Sequence, residues 1–569
     1  MNRFICYLAI LQLLIVNFNA IGQLTPCTEK VFLQADREIY IAGEELIFTC
    51  HAFDIGKPKS WINSNFAYLV LRNSKNVHVC ELCLKLTNSK FSGSLYLPDT
   101  LSTGLYQLVV FTNYMRNAGE TSFYTKEILI VNRFDKDFTG LYLNLPADST
   151  NQKQTIALQD NNVTGGLSIL TEKRVFATRE KIKVTINASG LKDNEIAHIS
   201  LFVREKIPQS IYRTESGLFR NNLHEPDTTC HYLPEIKGII LSGRALSADD
   251  KPIARTRIFL SVSDTLSNLQ FTKSNDDGYF RFLLNDYYND KKLFLTLPDF
   301  AKASIALDDK YDLKVPYHPS GIYPNTRLTD YLIRSQNIVQ VQKTYQMEMA
   351  KKIQQKVQLD YRIPLIYPPV SDPVYPADFV ALPDFVEISR EILPLLKIRK
   401  SKGTYHATII SLTEETFFDQ SPLIFLDGVP INDINQIIHL GTKNINKIET
   451  FGIELYDGGQ YYPGILSVFT KENEINNVEW KSPVLTTKYK EFYSSSMYVT
   501  PVISKATLPD FRQLLFLEPS LTCKANDKKY IEFQASDNVG EYEIVAEGIT
   551  TSGNLIKAQA IVEVVIQSR

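Results

Sequence analysis

The chain has 569 residues, 44% of them apolar, and its 61 Lys and Arg against 63 Asp and Glu leave a formal net charge of −2. That length predicts several domains, roughly four at about 150 residues each. The charge balance argues against nucleic acid as the main partner, because phosphate binding needs a basic surface.

The N-terminus reads as a targeting signal. Arg3 is a positive start, Phe4 to Val16 is apolar, and Ala20-Ile21-Gly22 offers small residues for cleavage. This predicts a signal peptide over 1–22, a mature start at Gln23 and an exported protein, in the periplasm or at the outer membrane. No later stretch approaches the roughly 18 apolar residues of a membrane-spanning helix. Six cysteines remain after cleavage. Cys27, Cys50, Cys80 and Cys83 could form two disulfides in an oxidising compartment. Cys80-x-x-Cys83 lacks the second pair of a zinc site and the βαβ context of a redox motif. Cys27 could instead be a lipidated terminus, although Pro26 sits where a small residue is needed.

From there the chain alternates in a mainly β manner, and its many aromatics (30 Tyr, 31 Phe) fall in that alternation. One internal repeat stands out. "ADREIYIAGEEL" (35–46) aligns without gaps to "TEKRVFATREKI" (171–182), an offset of 136 residues (171 minus 35). The shared pattern predicts a strand end, a turn, and a new strand: "ELIFTCHAF" in the first copy and "KIKVTINA" in the second. A repeat at this spacing implies a duplicated domain. Together with "FSGSLYLPDTLSTGLYQLVVFTNYMRN" (91–117) and "KEILIVN" (126–132), the first copy resembles the second macroglobulin domain of alpha-2-macroglobulin-like proteins. The resemblance implies a β-sandwich over 23–133 and a second macroglobulin-like β-domain over 160–232. The family's covalent traps use a thioester from Cys and Gln in G-C-G-E-Q, and no such stretch occurs here. Protease trapping therefore loses its chemistry.

Residues 235–313 hold alternating strands around the turns Asp249-Asp250-Lys251-Pro252 and Asn275-Asp276-Asp277-Gly278. They resemble the carboxypeptidase regulatory-like module, a transthyretin-like sandwich without catalytic residues. The second turn lacks the alternating carboxylates and distal Glu of a calcium loop. Residues 326–357 contain no Pro or Gly and predict one long helix, with Leu328, Tyr331, Leu332, Ile338, Val341 and Tyr345 partly at helical spacing. A Pro-rich linker over 358–379 follows, its aromatics expected to pack on a neighbour.

Residues 380–475 predict an α+β domain. "PLIFLDGVPIND" reads as a hairpin with Asp427-Gly428 at a type I′ turn. "NKIETFGIELYDGGQYYPGILSVFTKE" then gives a strand, a Gly458-Gly459 turn and a closing strand. The order resembles the plug domain of TonB-dependent receptors. A receptor barrel of about 22 strands, at about 9–11 residues each, needs roughly 200 strand residues after the plug. The strands after Asn476, such as "YIEFQAS" and "EYEIVAEGI", read instead as a C-terminal β-sandwich over 483–569. The order of modules resembles large exported proteins of Bacteroidota.

No catalytic constellation is visible. "NNLHEPDTTCHY" gathers His224, Glu225, Asp227, Cys230 and His231, but Thr228 stands where a zincin needs its second His. No nucleophile elbow, P-loop or dinucleotide fingerprint occurs. Asp99-Thr100-Leu101, Asp148-Ser149-Thr150 and Asp264-Thr265-Leu266 resemble a short O-glycosylation pattern of Bacteroidota. The reading is a non-enzymatic envelope scaffold or binding protein, with no cofactor and no metal. Asp427, Gly428, Gly458 and Gly459 are the expected contacts to an outer-membrane protein or envelope complex. The alternatives are a free periplasmic binder of peptide or glycan, or a peptidase-related or metal-dependent enzyme.

Overall fold

The computed structural model describes residues 29–54, 64–135, 166–207, 231–297, 302–320, 326–344, 351–354, 362–367, 372–457, 460–480, 484–488, 492–499, 509–552 and 554–566. The signal segment, Cys27 and residues 224–230 lie outside the described residues. The chain divides into two compact units. One comprises residues 1–236, 311–357 and 492–569, and the other residues 237–310 and 358–491.

The strands begin with β1 (Glu29–Ala35), β2 (Ile39–Ile41), β3 (Glu45–Asp54), β4 (Phe66–Asn73), β5 (His78–Lys85), β6 (Lys90–Tyr96), β7 (Gly104–Phe111) and β8 (Tyr124–Val131). Next are β9 (Ser168–Thr171), β10 (Val175–Ala177), β11 (Lys181–Asn187) and β12 (Ile196–Glu205). Then follow β13 (Ile239–Ser247), β14 (Arg257–Val262), β15 (Gln270–Lys273), β16 (Tyr279–Leu284), β17 (Lys292–Thr296) and β18 (Ala303–Leu307). Helix α1 (Thr326–Thr344) and β19 (Lys351–Gln354) lead to α2 (Phe385–Glu391), β20 (Leu396–Ser401), β21 (Thr404–Ile409), β22 (Leu423–Leu426) and β23 (Val429–Ile431). After these come β24 (Ile445–Asp457), β25 (Gln460–Thr470), β26 (Val484–Lys488), β27 (Phe492–Ser494) and β28 (Ser496–Val499). The last four are β29 (Leu514–Lys524), β30 (Lys528–Gln534), β31 (Gly540–Thr550) and β32 (Leu555–Val565). The architecture is mainly β and built from sandwiches.

The first unit holds two sandwiches of one topology. In the first, the smaller sheet runs β1-β3-β6 and the larger β2-β8-β7-β4-β5, with β27 added at the β5 edge. In the second, the smaller sheet runs β9-β11-β30 and the larger β10-β32-β31-β12-β29. Each strand of the first has its counterpart in the second, in order. β2 and β10 even make the same parallel pairing with the last strand of their sandwich, β8 and β32. The repeat seen in the sequence therefore marks the first three strands of both copies. Strands β9 to β12 of the segment expected as a second macroglobulin-like domain (160–232) and β29 to β32 of the one expected as a separate C-terminal sandwich (483–569) are one sandwich. The reason is closure of the core. Strands β9 to β12 cannot cover Ile182, Val184, Ile199 and Leu201 alone, so Tyr542, Ile544 and Val562 complete that cluster. Everything between β12 and β29 is an insertion where the first copy has a tight β4–β5 turn.

The repeat also has a physical cause. In the first copy the Arg37 guanidinium donates to Glu44 (3.1 Å) and Asp36 (3.1 Å), and Glu44 Oε2 accepts from the backbone N–H of Ile41 (2.7 Å). In the second copy Lys173 pairs with Glu180 (2.6 Å), and Glu180 Oε2 accepts from the N–H of Ala177 (2.7 Å). The acid ties the short strand to the turn that follows, and the cation neutralises the acid. The surroundings differ. The first pair is buried and the second half-exposed. Arg37 also donates to Gln513 Oε1 (2.6 Å), whose amide donates to Glu205 (3.2 Å) and to Ser335 of α1 (3.0 Å).

β3 is buried on both faces, whereas β11 alternates cleanly. The outer face of the first small sheet is covered by the second sandwich. Ile47 packs with Phe202, Leu514 and Leu517, and Thr49 donates to Ser200 (3.0 Å). His51 lies in this contact with neither ring nitrogen partnered. Burial, with Lys90 and His198 close by, pushes it down to about 3; burial and Lys90 push His198 down to about 4. Unfolded histidines titrate near pH ~6.5. Below that pH the unfolded chain takes up protons that the folded chain refuses. Stability therefore falls with acid, by up to ~1.4 kcal/mol per pH unit for the buried His51 and by less for the partly exposed His198. His51→Leu is expected to flatten the pH slope of the urea midpoint between pH ~6.5 and ~4. An unchanged slope would contradict this account of the interface.

Helix α1 is shorter than the sequence implied. It ends at Thr344, and Lys351–Gln354 pairs as a strand with Ser496–Val499. Its Leu328, Tyr331, Leu332 and Val339 pack on Ile39, Ile41, Leu129 and Val131 of the first sandwich. Of the four cysteines expected to form two disulfides, Cys50 on β3 and Cys80 and Cys83 on β5 are unbridged thiols, and Cys27 lies outside the described residues. Burial pushes the Cys50 thiol up to about 12.

The second unit holds a sandwich and an α+β domain. Sheets β16-β13-β18 and β15-β14-β17-β26 make the sandwich. β26 completes it, although the sequence placed that segment in the C-terminal domain. In the α+β domain, sheet β23-β22-β25-β24 carries α2 and the β20-β21 hairpin around Phe385, Ile388, Leu426 and Val468. The segment read as a linker is partly built in. Tyr367 is buried, stacks on Phe451 (5.6 Å between centroids), and its hydroxyl meets Glu449 (2.7 Å) and Ser467 (2.7 Å).

Candidate functional site

The α+β domain carries two features that could meet a ligand, and both depend on how β22 to β25 are held. The Asp427-Gly428 pair takes positive φ at both residues (48° and 84°), the type I′ geometry. The tip points inward. Asp427 is buried, and its carboxylate accepts from Thr470 N (2.6 Å), Thr470 Oγ1 (2.8 Å) and Ile475 N (3.1 Å). A Cβ on Gly428 would lie 2.9 Å from the Leu266 carbonyl oxygen of the neighbouring sandwich. The N–H of Asp264 also donates to the Asp427 carbonyl (3.0 Å). The pair expected as a partner contact thus joins the domain to the β14–β15 loop and is not a free surface. Gly458 and Gly459 lie outside the described residues.

By fixing Thr470 and Ile475, Asp427 shapes the wall of a pocket of about 370 Å³. Asn435, Gln436, His439, Glu474 and Glu479 line it over a floor that includes Leu426. Asp433 holds Asn435 in place by accepting from its N–H (2.9 Å). Gln436 donates to the Glu479 carbonyl (2.9 Å), while its Oε1 is buried without a protein partner. The lining mixes these polar side chains with Leu426, Leu440 and Val478. Sequence reading missed it, because its residues come from two short turns with no motif.

The second feature is the far end of the β24–β25 hairpin. A bulge between Phe451 and Glu454 breaks the ladder, and Leu412 N donates to the carbonyl of Gly452 there (2.8 Å). Beyond it Tyr456 is 71% exposed and its ring lies 5.1 Å from that of Tyr461. The arm therefore presents Ile453 and Tyr456 to solvent, and Leu412 and Phe417 of the β21–β22 connection are exposed as well.

The other expected candidates stay apart. Among the described residues no three His, Cys, Asp or Glu gather as a metal site. His231 packs edge-on to Tyr232 (5.0 Å). Of the glycosylation-like triplets, Thr100 is exposed beside β7, while Asp264 is held by Tyr287 and Lys291, which pull its carboxyl below the usual range against the burial that opposes them. Among the described residues no helix is long and apolar enough to cross a membrane.

The fold thus defines a multi-sandwich β-protein whose second sandwich is interrupted by an inserted unit. No family model matches the chain. No curated protein matches it. Among solved structures, it is similar to Salmonella alpha-2-macroglobulin reacted with methylamine, with 9% identity and a TM-score of 0.23 over 96% of this chain. It is also similar to Escherichia coli alpha-2-macroglobulin activated by porcine elastase, with 9% identity and a TM-score of 0.24 over 95% of this chain. The chain spans 40% and 44% of those two proteins. A carbohydrate-binding module of the β-sandwich superfamily aligns at 13% identity and a TM-score of 0.12, over 52% of this chain and 93% of its own.

Proposed function

We propose that the chain is a non-enzymatic, exported envelope scaffold whose inserted α+β domain binds an outer-membrane protein or complex. The observation that carries this reading is the β24–β25 arm. Contiguous exposed aromatic and aliphatic side chains on a soluble surface mark interaction sites, and Tyr is favoured there because it adds area at low entropic cost. The exposed Tyr456 and Ile453, with the half-buried Tyr461 against Tyr456, supply that surface. The order of motifs in this domain resembles the plug of outer-membrane receptors, and that resemblance supports the choice of partner.

The test is recovery of a tagged chain from its own host in mild detergent. Wild type is expected to bring down one outer-membrane protein in near-stoichiometric amount. Tyr456→Ser with Tyr461→Ser is expected to reduce that recovery at least tenfold, or about 1.4 kcal/mol, with the melting temperature unchanged. Equal recovery with the double variant would remove the arm as the contact. A second reading, a free binder of glycan or peptide, is favoured by the unpartnered Gln436 Oε1 in the polar pocket. Saturable binding of a soluble glycan or peptide that is lost on Gln436→Leu, without any co-purifying membrane protein, would select it.

A further inference from the structure

The duplication shows one surface used in the first copy and left open in the second. On the outer face of the first small sheet, Gln34, Thr49 and Ser92 form a row across three strands, and all three are buried, Gln34 and Thr49 against Ser200 of the second sandwich and Ser92 against Ser495 of the segment between β27 and β28. The same row in the second copy is Leu170, Thr185 and Tyr530. Leu170 is 57% and Tyr530 77% exposed. The central Thr is kept, while Gln34 and Ser92 at the ends of the covered row are replaced by the large exposed Leu170 and Tyr530 of the open one.

We propose that this open face is a contact between two copies of the chain, packed face to face about a two-fold axis. Charge complementarity commits the surface to a second copy. Glu172, Lys183 and Glu532 flank the central row on one side, and Ser168, Asn187 and Lys528 on the other. An axis lying along the Leu170–Thr185–Tyr530 row exchanges these two sides. Lys528 of each chain then faces Glu532 of the partner subunit, the two Thr185 side chains meet at the centre, and the two Tyr530 rings meet at one end of the row. Such an isologous contact satisfies itself twice with one patch. The existing Lys181–Glu532 pair is exposed and offers little resistance to re-pairing. The first copy's face is already filled, which leaves no head-to-tail alternative through that row. Three strands and seven residues of β11 make a modest patch, so micromolar self-association is expected.

Sedimentation equilibrium of the mature chain from about 1 to 300 μM, a range bracketing such affinities, tests this. The expected result is a reversible monomer–dimer equilibrium. Tyr530→Lys should abolish it, and Lys528→Glu or Glu532→Lys alone should weaken it at least tenfold. The double variant Lys528→Glu with Glu532→Lys should restore it. A monomer across the whole range overturns the proposal, as does a dimer indifferent to Tyr530→Lys. Failure of the charge exchange to rescue dimerisation overturns the two-fold geometry.

Discussion

Arg37→Met is expected to destabilise the two-sandwich unit by about 3–5 kcal/mol, because removing one partner strands the other charges in the interior. Asp36 and Glu44 would lose their cation in a buried site, and Gln513 of the second sandwich would lose its donor. Burial opposes the Arg37 charge, but Glu44 and Asp36 outweigh it and hold the guanidinium firmly protonated. The matched control lies in the same protein. Lys173→Met removes the equivalent half-exposed pair and is expected to cost no more than about 1 kcal/mol. Urea unfolding of both variants, followed at the first unit, makes the comparison. Equal costs would mean that the buried network contributes nothing beyond its exposed counterpart.

Asp427→Asn is expected to cost the α+β domain about 2–4 kcal/mol, on the scale of buried charged hydrogen bonds lost. An amide can accept through only one atom, and its N–H₂ would confront the N–H donors of Thr470 or Ile475. Gly428→Ala should be costly for a separate reason. Its φ of +84° disfavours a side chain, and the new Cβ would meet the Leu266 carbonyl. Hydrogen exchange read by mass spectrometry should show lost protection over 470–479 in Asp427→Asn, with β1 to β8 unaffected. Unchanged protection over that stretch would return Asp427 to the role of a surface contact.

These two residues show what could be read from the chain and what could not. The repeat "ADREIYIAGEEL"/"TEKRVFATREKI" was legible because its charged residues make local bonds, from Arg37 to Glu44 and from the Ile41 N–H to Glu44. The apolar-rich "ELIFTCHAF" against the alternation of "KIKVTINA" also carried information. The first strand is covered on both faces and the second on one. The Asp-Gly turn was legible as a turn, since its backbone preference is local. Its burial was not, because the Leu266 carbonyl that closes over Gly428 is far away in sequence. The same holds for the split sandwich. Nothing in β11 names β30 as its neighbour, and strand pairing across an insertion leaves no mark at either end.

The split sandwich gives the proposed function its logic. Two copies of one domain form a body, and the second copy's β12–β29 connection carries the unit that holds the arm. The most direct measurement is site-specific photo-crosslinking in the native host, with a photoreactive residue at position 456 and, as a control, at the exposed Tyr96 of the first sandwich. The account predicts one discrete adduct with an outer-membrane protein from position 456 and none from position 96. No adduct from 456, or the same adducts from both positions, would contradict it.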